Sequence, residues 1–233
     1  VKKSFLLFFI ASFFLSATLH AEWKTLAPGF DYRTENNVHF FKIDPQKFRI
    51  DLLLSSHYGM KSLTADEYRK KSRALLVING GFFDELYRSL GLLETGGKVV
   101  NPVKKAGWGV FVLKGDKGND PALLLPKDWT GGGRMAIQAG PRLVIDGQLT
   151  SLKSNAPSRR SAIGITPGNS VEIAISERLL TLQEWGSVLQ KDCIQALNLD
   201  GGGSSQISVV LPNFSLNMTG ETGVPNAVAV FEK

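Results

Sequence analysis

IQALNLDGGGSSQISVVL, residues 194–211, decides how the rest of the sequence is read. Apolar residues dominate 194–199 and return at 207–211, each a short run suited to a buried strand. Between them stand a carboxylate, Asp200, three glycines and two serines. Glycine inside an ordered element costs roughly 0.5–1 kcal/mol relative to alanine, so Gly201, Gly202 and Gly203 need a reason. One reason is conformational: a tight turn between two strands, with glycine supplying positive φ. The other is chemical. Amides unshielded by a Cβ can converge on an anion, with the hydroxyls of Ser204 and Ser205 as further donors. Strand periodicity puts Asn198 and Asp200 on one face, opposite Leu197 and Leu199. A polar pair on an apolar strand has to be satisfied by protein partners or by a ligand.

A second segment is built alike. The apolar run 74–78 leads straight into Asn79-Gly80-Gly81-Phe82-Phe83-Asp84. Each run delivers a polar side chain at a strand end and then bare backbone, the place where ligands dock in many sheet-based folds. Around these two landmarks the chain reads as strands near 38–43, 48–54, 108–113, 122–125, 135–138, 143–145 and 227–231. The first two flank Asp44-Pro45, which predicts a hairpin turn. Residues 161–165 and 171–176 read as neighbours joined by Thr166-Pro167-Gly168-Asn169. Thr64-Ala65-Asp66-Glu67 and Thr181-Leu182-Gln183-Glu184 have the spacing of capping boxes, so each predicts a short helix. No repeat or linker divides the sequence. The expectation is one strand-rich α+β domain, a mixed sheet with about two helices, over 22–233.

Residues 1–21 read separately. Lys2 and Lys3 precede a short apolar run that ends in small residues at Ala21, the pattern of a secretory signal peptide. The run is shorter than the roughly 20 apolar residues of a membrane span, so the expectation is a periplasmic or secreted protein with no stable span after cleavage. The formal charge of +6 contains no basic block, which argues against nucleic acid and suits an anionic small-molecule or glycan substrate. Cys193 is the only cysteine, so no internal disulfide exists. It falls on an apolar stripe and reads as a packing residue. The histidines have no partners at ligand spacing, so no zinc site is expected, and no G-x-S-x-G elbow provides a hydrolase nucleophile. The four tryptophans read as core, with a sugar-stacking platform as the alternative. Gly131–Gly133, a second glycine triplet, reads as a flexible loop and a candidate rim of the site.

Arg159-Arg160-Ser161 precedes the strand at 162–165. An arginine here is either a solvated edge charge or, beside a glycine nest, a clamp for phosphate. The segments Ile78–Asp84, 160–164 and 198–205, together with Gly140-Pro141-Arg142-Leu143 and Val224-Pro225-Asn226-Ala227, resemble in order and spacing the phosphodiester glycosidase family. The size and apparent export signal are similar to those of compact bacterial members. The resemblance implies hydrolysis of the bond between a sugar anomeric carbon and a phosphodiester oxygen. The leaving group would be a phosphate monoester with a second pKa near 6. It needs less acid assistance than the alkoxide of an ordinary glycoside and more stabilisation of negative charge.

On that reading Asp200 is the catalytic carboxylate, with Asp84 as a second. Arg160, Ser161, the amides of Gly201, Gly202 and Gly203, Ser204 and Ser205 hold the phosphate. Asn79, Gly80, Gly81 and Asn198 complete the substrate site, the asparagines orienting sugar hydroxyls or Asp200. No cofactor is expected; a divalent cation on Asp200, Asp84 and the asparagines is the weaker alternative. A binding module that grips a phosphorylated glycan without cutting it would use the same groups. The sequence leaves the sugar, its aglycone and the oligomeric state open.

Overall fold

The computed structural model describes residues 22–104, 107–115, 117–152 and 156–233; the signal-peptide reading at 1–21 lies outside them. Eighteen strands form three sheets among the described residues. The largest has the spatial order β1 (Lys24–Ala27), β2 (Phe30–Glu35), β3 (Val38–Ile43), β14 (Val171–Ser176), β13 (Ser161–Ile165), β15 (Gln195–Asn198), β11 (Arg142–Ile145) and β12 (Gln148–Leu149). The second runs β7 (Lys98–Asn101), β6 (Leu93–Thr95), β10 (Met135–Ala139), β8 (Gly109–Lys114) and β9 (Asp120–Leu124). The third runs β17 (Phe214–Met218), β16 (Ile207–Leu211), β5 (Leu76–Asn79), β18 (Asn226–Glu232) and β4 (Phe48–Leu54). The α+β class is as expected, but each strand pair within these sheets is antiparallel, so the mixed sheet resolves into three antiparallel ones.

The inner faces of all three sheets meet in one core that includes Phe41, Ile50, Ile78, Phe111, Ile137, Ile173, Leu197 and Val228. The strict alternation of β4, buried at Phe48, Ile50, Leu52 and Leu54, is what a sheet with one face on that core requires. The two helices close outer faces. Thr64 and Glu67 exchange bonds at the start of α1 (Ala65–Ser72), and Thr181 and Glu184 do so at α2 (Leu182–Leu189), satisfying amides that a helix start leaves unpaired. Through Trp185 and Leu189, α2 covers the largest sheet at Leu143, Val144, Ala162 and Ala196. Cys193 is buried in the same layer, its thiol pushed well above its usual range by desolvation. Tyr68 of α1 packs on Val77, Ala227 and Ala229 of the third sheet.

One sequence expectation fails here. β3 and β4 do not form a hairpin: β3 lies between β2 and β14, whereas β4 pairs with β18 in another sheet. The turn at Asp44 exists, with the Lys47 amide on the Asp44 carbonyl, but the Asp44 amide is held by Gly29. The Asp44–Lys47 segment is therefore a corner between sheets. Both flanking strands put an apolar face on the shared core, and that pattern does not distinguish a hairpin from a corner. The turn at 166–169 does join neighbours, with Ser161 opposite Ile175 and Asn169 in the left-handed region at φ 62°.

Candidate active site

Five strand ends from two sheets converge on the Asp200 turn. β5 finishes at Asn79, β15 finishes at Asn198, and β13, β16 and β18 begin at Ser161, Ile207 and Asn226. Asn79 joins them. Its Oδ1 accepts from Ser161 Oγ at 2.7 Å and from the Gln206 amide at 3.2 Å, and its Nδ2 donates to the Asp200 carbonyl at 2.8 Å. The Asp200 amide in turn donates to the Gly80 carbonyl at 3.0 Å. Gly80 and Gly81 donate to the backbone and side-chain oxygens of Asn226, at 3.0 and 2.7 Å. A Cβ on Gly80 would lie 2.0 Å from Asn226 Oδ1, and one on Gly81 would lie 3.1 Å from the Gln138 carbonyl. Asn79, Ser161 and Asn226 are fully buried.

Asn79 holds Asp200, one of the two roles expected of it; for Gly80, Gly81 and Ser161 the geometry corrects the sequence reading. Asn79, Gly80, Gly81 and Ser161 form a buried buckle whose polar groups are spent on protein. They position the Asp200 backbone and leave nothing to offer a ligand. Glycine is required at 80 because Asn226 occupies the space of a side chain.

The second glycine segment is half-exposed and differently arranged. Asp200 Oδ1 accepts the Gly201 amide at 2.9 Å, and the Gly202 amide donates to the Arg159 carbonyl at 2.9 Å. The amides of Ser204 and Ser205 donate to Gly201 and Gly202, closing a 3-10 turn over Gly202–Ser204 with Gly202 at φ 61°. The expected open nest of three glycine amides is thus corrected: those of Gly201 and Gly202 are consumed, because the turn needs them to hold its own shape and the Asp200 carboxylate. Gly203 makes room instead. A Cβ there would lie 2.8 Å from Glu221 Oε2, and the Glu221 amide donates to the Gly203 carbonyl at 2.7 Å.

Arg160 flanks the same turn. Its Nε donates to the Leu180 carbonyl at 2.9 Å and its Nη2 to the Ala156 carbonyl at 2.8 Å. The guanidinium is thereby fixed, with Nη1 only 3.7 Å from where a Gly201 methyl would sit. Desolvation lowers its pKa, but an arginine stays charged at neutral pH. Arg159 reaches the Thr219 carbonyl at 3.2 Å, and Ser158 Oγ lies 3.2 Å from a Cβ position on Gly202. Burial raises the Asp200 pKa above the ordinary aspartate value, an effect offset in part by the Ser204 hydroxyl and the Gly201 amide.

Asn198 Nδ2 is held by the Gly140 and Leu199 carbonyls at 3.0 and 2.7 Å. Its Oδ1, and the Oγ of Ser205, are buried without a partner among the described residues. Buried polar atoms of this kind are uncommon, and both belong to the turn and the strand that leads into it.

Asp84 stands apart. It closes its own loop, accepting from the Leu86 and Arg88 amides at 2.9 Å each and pairing with Arg88 at 2.7 Å. The Arg88 side chain, above all, keeps its pKa low. The Asp84 carboxylate makes no hydrogen bond or ion pair to the Asp200 turn among the described residues. Gly131–Gly133 is no rim of this site either. It leads into β10 at the end opposite Ala139, where Gly132 and Gly133 border a pocket with Gly96, Gly97 and Gly115. No group of three or more His, Cys, Asp or Glu among the described residues could hold a metal ion.

Sequence reasoning missed Glu221 and the roles of Gln206 and Asn226. Gln206 Oε1 caps the Ala65 amide of α1 at 2.7 Å, and its Nε2 holds the Thr222 carbonyl at 2.9 Å. The signal for Glu221 was an acid between glycines in Gly220-Glu221-Thr222-Gly223, a loop with no apolar pattern of its own.

A family model described as phosphodiester glycosidase matches residues 72–231. The chain belongs to the phosphodiester glycosidase family. The matched span contains the buckle, Arg160, the Asp200 turn and Glu221. Among solved structures, the fold is similar to the catalytic domain of zebrafish N-acetylglucosamine-1-phosphodiester alpha-N-acetylglucosaminidase, auto-inhibited by its pro-peptide. That match has 15% identity and a TM-score of 0.69, over 91% of this chain and 87% of that one. A Synechocystis protein matches at 15% identity and TM-score 0.65, over 91% of this chain and 61% of its own. A Burkholderia pseudomallei K96243 protein matches at 13% identity and TM-score 0.63, over 87% and 74%. No curated protein matches the sequence.

Proposed function

We propose that this phosphodiester glycosidase family member hydrolyses the bond between a sugar anomeric carbon and a phosphodiester oxygen, acting outside the cytoplasm. The observation that carries the reading is a half-exposed turn that presents a partly buried carboxylate, Asp200, and is bordered by a guanidinium, Arg160, locked in place by two main-chain carbonyls. Raising an aspartate pKa moves it toward the range in which a carboxylate works as a general base. Asp200 takes a proton from water as the water oxygen bonds to the anomeric carbon. The bond from that carbon to the bridging oxygen breaks, and its electron pair leaves with the phosphate monoester. Arg160 Nη1 and the Gly203 amide face the growing negative charge, while the Ser204 hydroxyl holds the Asp200 carboxylate. Fixed donors are effective there because they need no reorganisation during the reaction. Glu221, against Gly203, is the second carboxylate of the site in place of Asp84, and it stabilises positive charge on the sugar. Asn198 Oδ1 and Ser205 Oγ supply unused hydrogen-bonding capacity for the substrate.

The test is incubation of the purified protein with N-acetylglucosamine-1-phosphodiesters and other sugar-1-phosphodiesters. Free sugar and phosphate monoester should appear in equal amounts. Binding of these compounds without release of sugar would overturn the hydrolytic reading in favour of a glycan-binding module.

A further inference from the structure

The loop that carries Asp84 forms one wall of a groove of about 390 Å³, a size typical of small-molecule sites. Leu54, Leu93 and Pro225 line it, and its rim is unusually apolar for a protein surface. Met60, Leu86 and Val100 line it while 49%, 68% and 50% exposed, and the neighbouring Leu90 and Val99 are exposed as well. A contiguous exposed apolar patch of this kind marks an interaction site.

The polar groups in the same wall are already engaged. Ser55 Oγ donates to the Lys61 carbonyl at 2.8 Å, and Ser89 Oγ meets Asn226 Nδ2 at 3.0 Å. Asn101 Nδ2 holds the Ser89 and Gly91 carbonyls, and the Tyr87 hydroxyl contacts Thr222 Oγ1 at 3.3 Å. A groove built for a sugar would keep such groups for the ligand's hydroxyls; this one leaves apolar surface. Its charge is one-sided. Arg88 is neutralised by Asp84, whereas Lys61 forms no ion pair among the described residues, and no carboxylate lines the groove.

No residue of the Asp200 turn lines the groove, but two of its lining residues, Tyr87 and Pro225, adjoin segments that reach the candidate active site. Thr222, which touches Tyr87, follows Glu221, which lies on Gly203. Pro225 precedes Asn226, which holds Gly80 and Gly81 beneath Asp200. We infer that the groove seats the aglycone of the substrate, and that this aglycone is an alkyl chain carried on the anionic phosphate. This rests on the hydrolytic reading for the word aglycone; the preference for an alkyl phosphate rests on the groove alone.

Two measurements separate the claims. The first is calorimetric titration with methyl phosphate and decyl phosphate, which requires no turnover. The wild-type protein should bind decyl phosphate at least tenfold more tightly, and the surface variant Leu86→Asp/Val100→Asp should lose that preference. The second compares hydrolysis of methyl and decyl N-acetylglucosamine-1-phosphodiesters. A lower KM for the decyl compound should disappear in the variant, with turnover of the methyl compound unchanged. Decyl preference in binding without hydrolysis of either diester supports the groove and removes the reaction. Hydrolysis with no dependence on chain length, or a dependence that survives the variant, overturns the groove. So does sedimentation showing a wild-type dimer that the variant dissolves, because the apolar rim would then be a self-association face.

Discussion

The two glycine segments share a composition and differ in their surroundings. Asn79-Gly80-Gly81 is buried, and each of its three residues is hydrogen-bonded to protein. Asp200–Gly203 is half-exposed, bordered by Arg159, Arg160 and Glu221, with a carboxylate whose pKa burial has raised. Glycine in the first makes space for Asn226, and in the second it shapes a turn and lets charged side chains approach. On the proposed reading a strand end followed by glycine is an address for a site, and the neighbours decide whether the segment touches substrate or supports the segment that does.

That difference can be broken by substitution. Gly80→Ala brings a methyl onto Asn226 Oδ1 and within 2.9 Å of its carbonyl, and backbone cannot yield as a side chain can. It should destabilise the protein by roughly 3 kcal/mol, seen as a lowered denaturation midpoint, with activity lost only in proportion to the unfolded fraction. Asn79→Ala leaves the Ser161 hydroxyl and the Gln206 amide without their acceptor. It should cost about 2 kcal/mol by the same measurement and should also raise KM, because the Asp200 carbonyl loses its anchor. Gly203→Ala should behave in the opposite way. The obstructing atom is the end of the exposed Glu221 side chain, which can swing aside, so stability should change by less than about 1 kcal/mol while kcat falls about tenfold. Equal destabilisation by Gly80→Ala and Gly203→Ala would erase the distinction between support and site. The smallest effect is on pH dependence. With the Asp200 pKa raised, the acidic limb of kcat/KM should lie above the ordinary aspartate range, and a limb at the usual value would separate Asp200 from the rate.

Much of this was legible in the sequence. The capping boxes at Thr64 and Thr181 marked both helices because the cap is a local interaction among four residues. The apolar runs ending at Asn79 and Asn198 marked the convergent strand ends. The partner strand of β4 was not legible, since an apolar face directed at a shared core looks the same whichever sheet carries it. β17 went unread because its residues alternate between exposed and half-buried positions at a sheet edge. Within the proposed site, Asp200 and Arg160 stood out by residue type and neighbours. Their distinction from Asp84 did not. Asp84 satisfies itself through Arg88, four residues on, while Glu221 reaches Gly203 only through tertiary packing.

The central claim is that the Asp200 turn carries the chemistry and the Asn79 buckle only supports it. Asp200→Asn tests it most directly, because asparagine keeps an acceptor for the Gly201 amide and removes only the charge. Burial gives the folded chain a higher Asp200 pKa than the unfolded chain. The wild type therefore loses stability as pH rises from the ordinary aspartate value through the folded one. The variant should lose turnover of a sugar-1-phosphodiester by about a thousandfold or more while melting at the same or a higher temperature than wild type at pH 7, a gap that closes in acid. Turnover within tenfold of wild type would contradict the account.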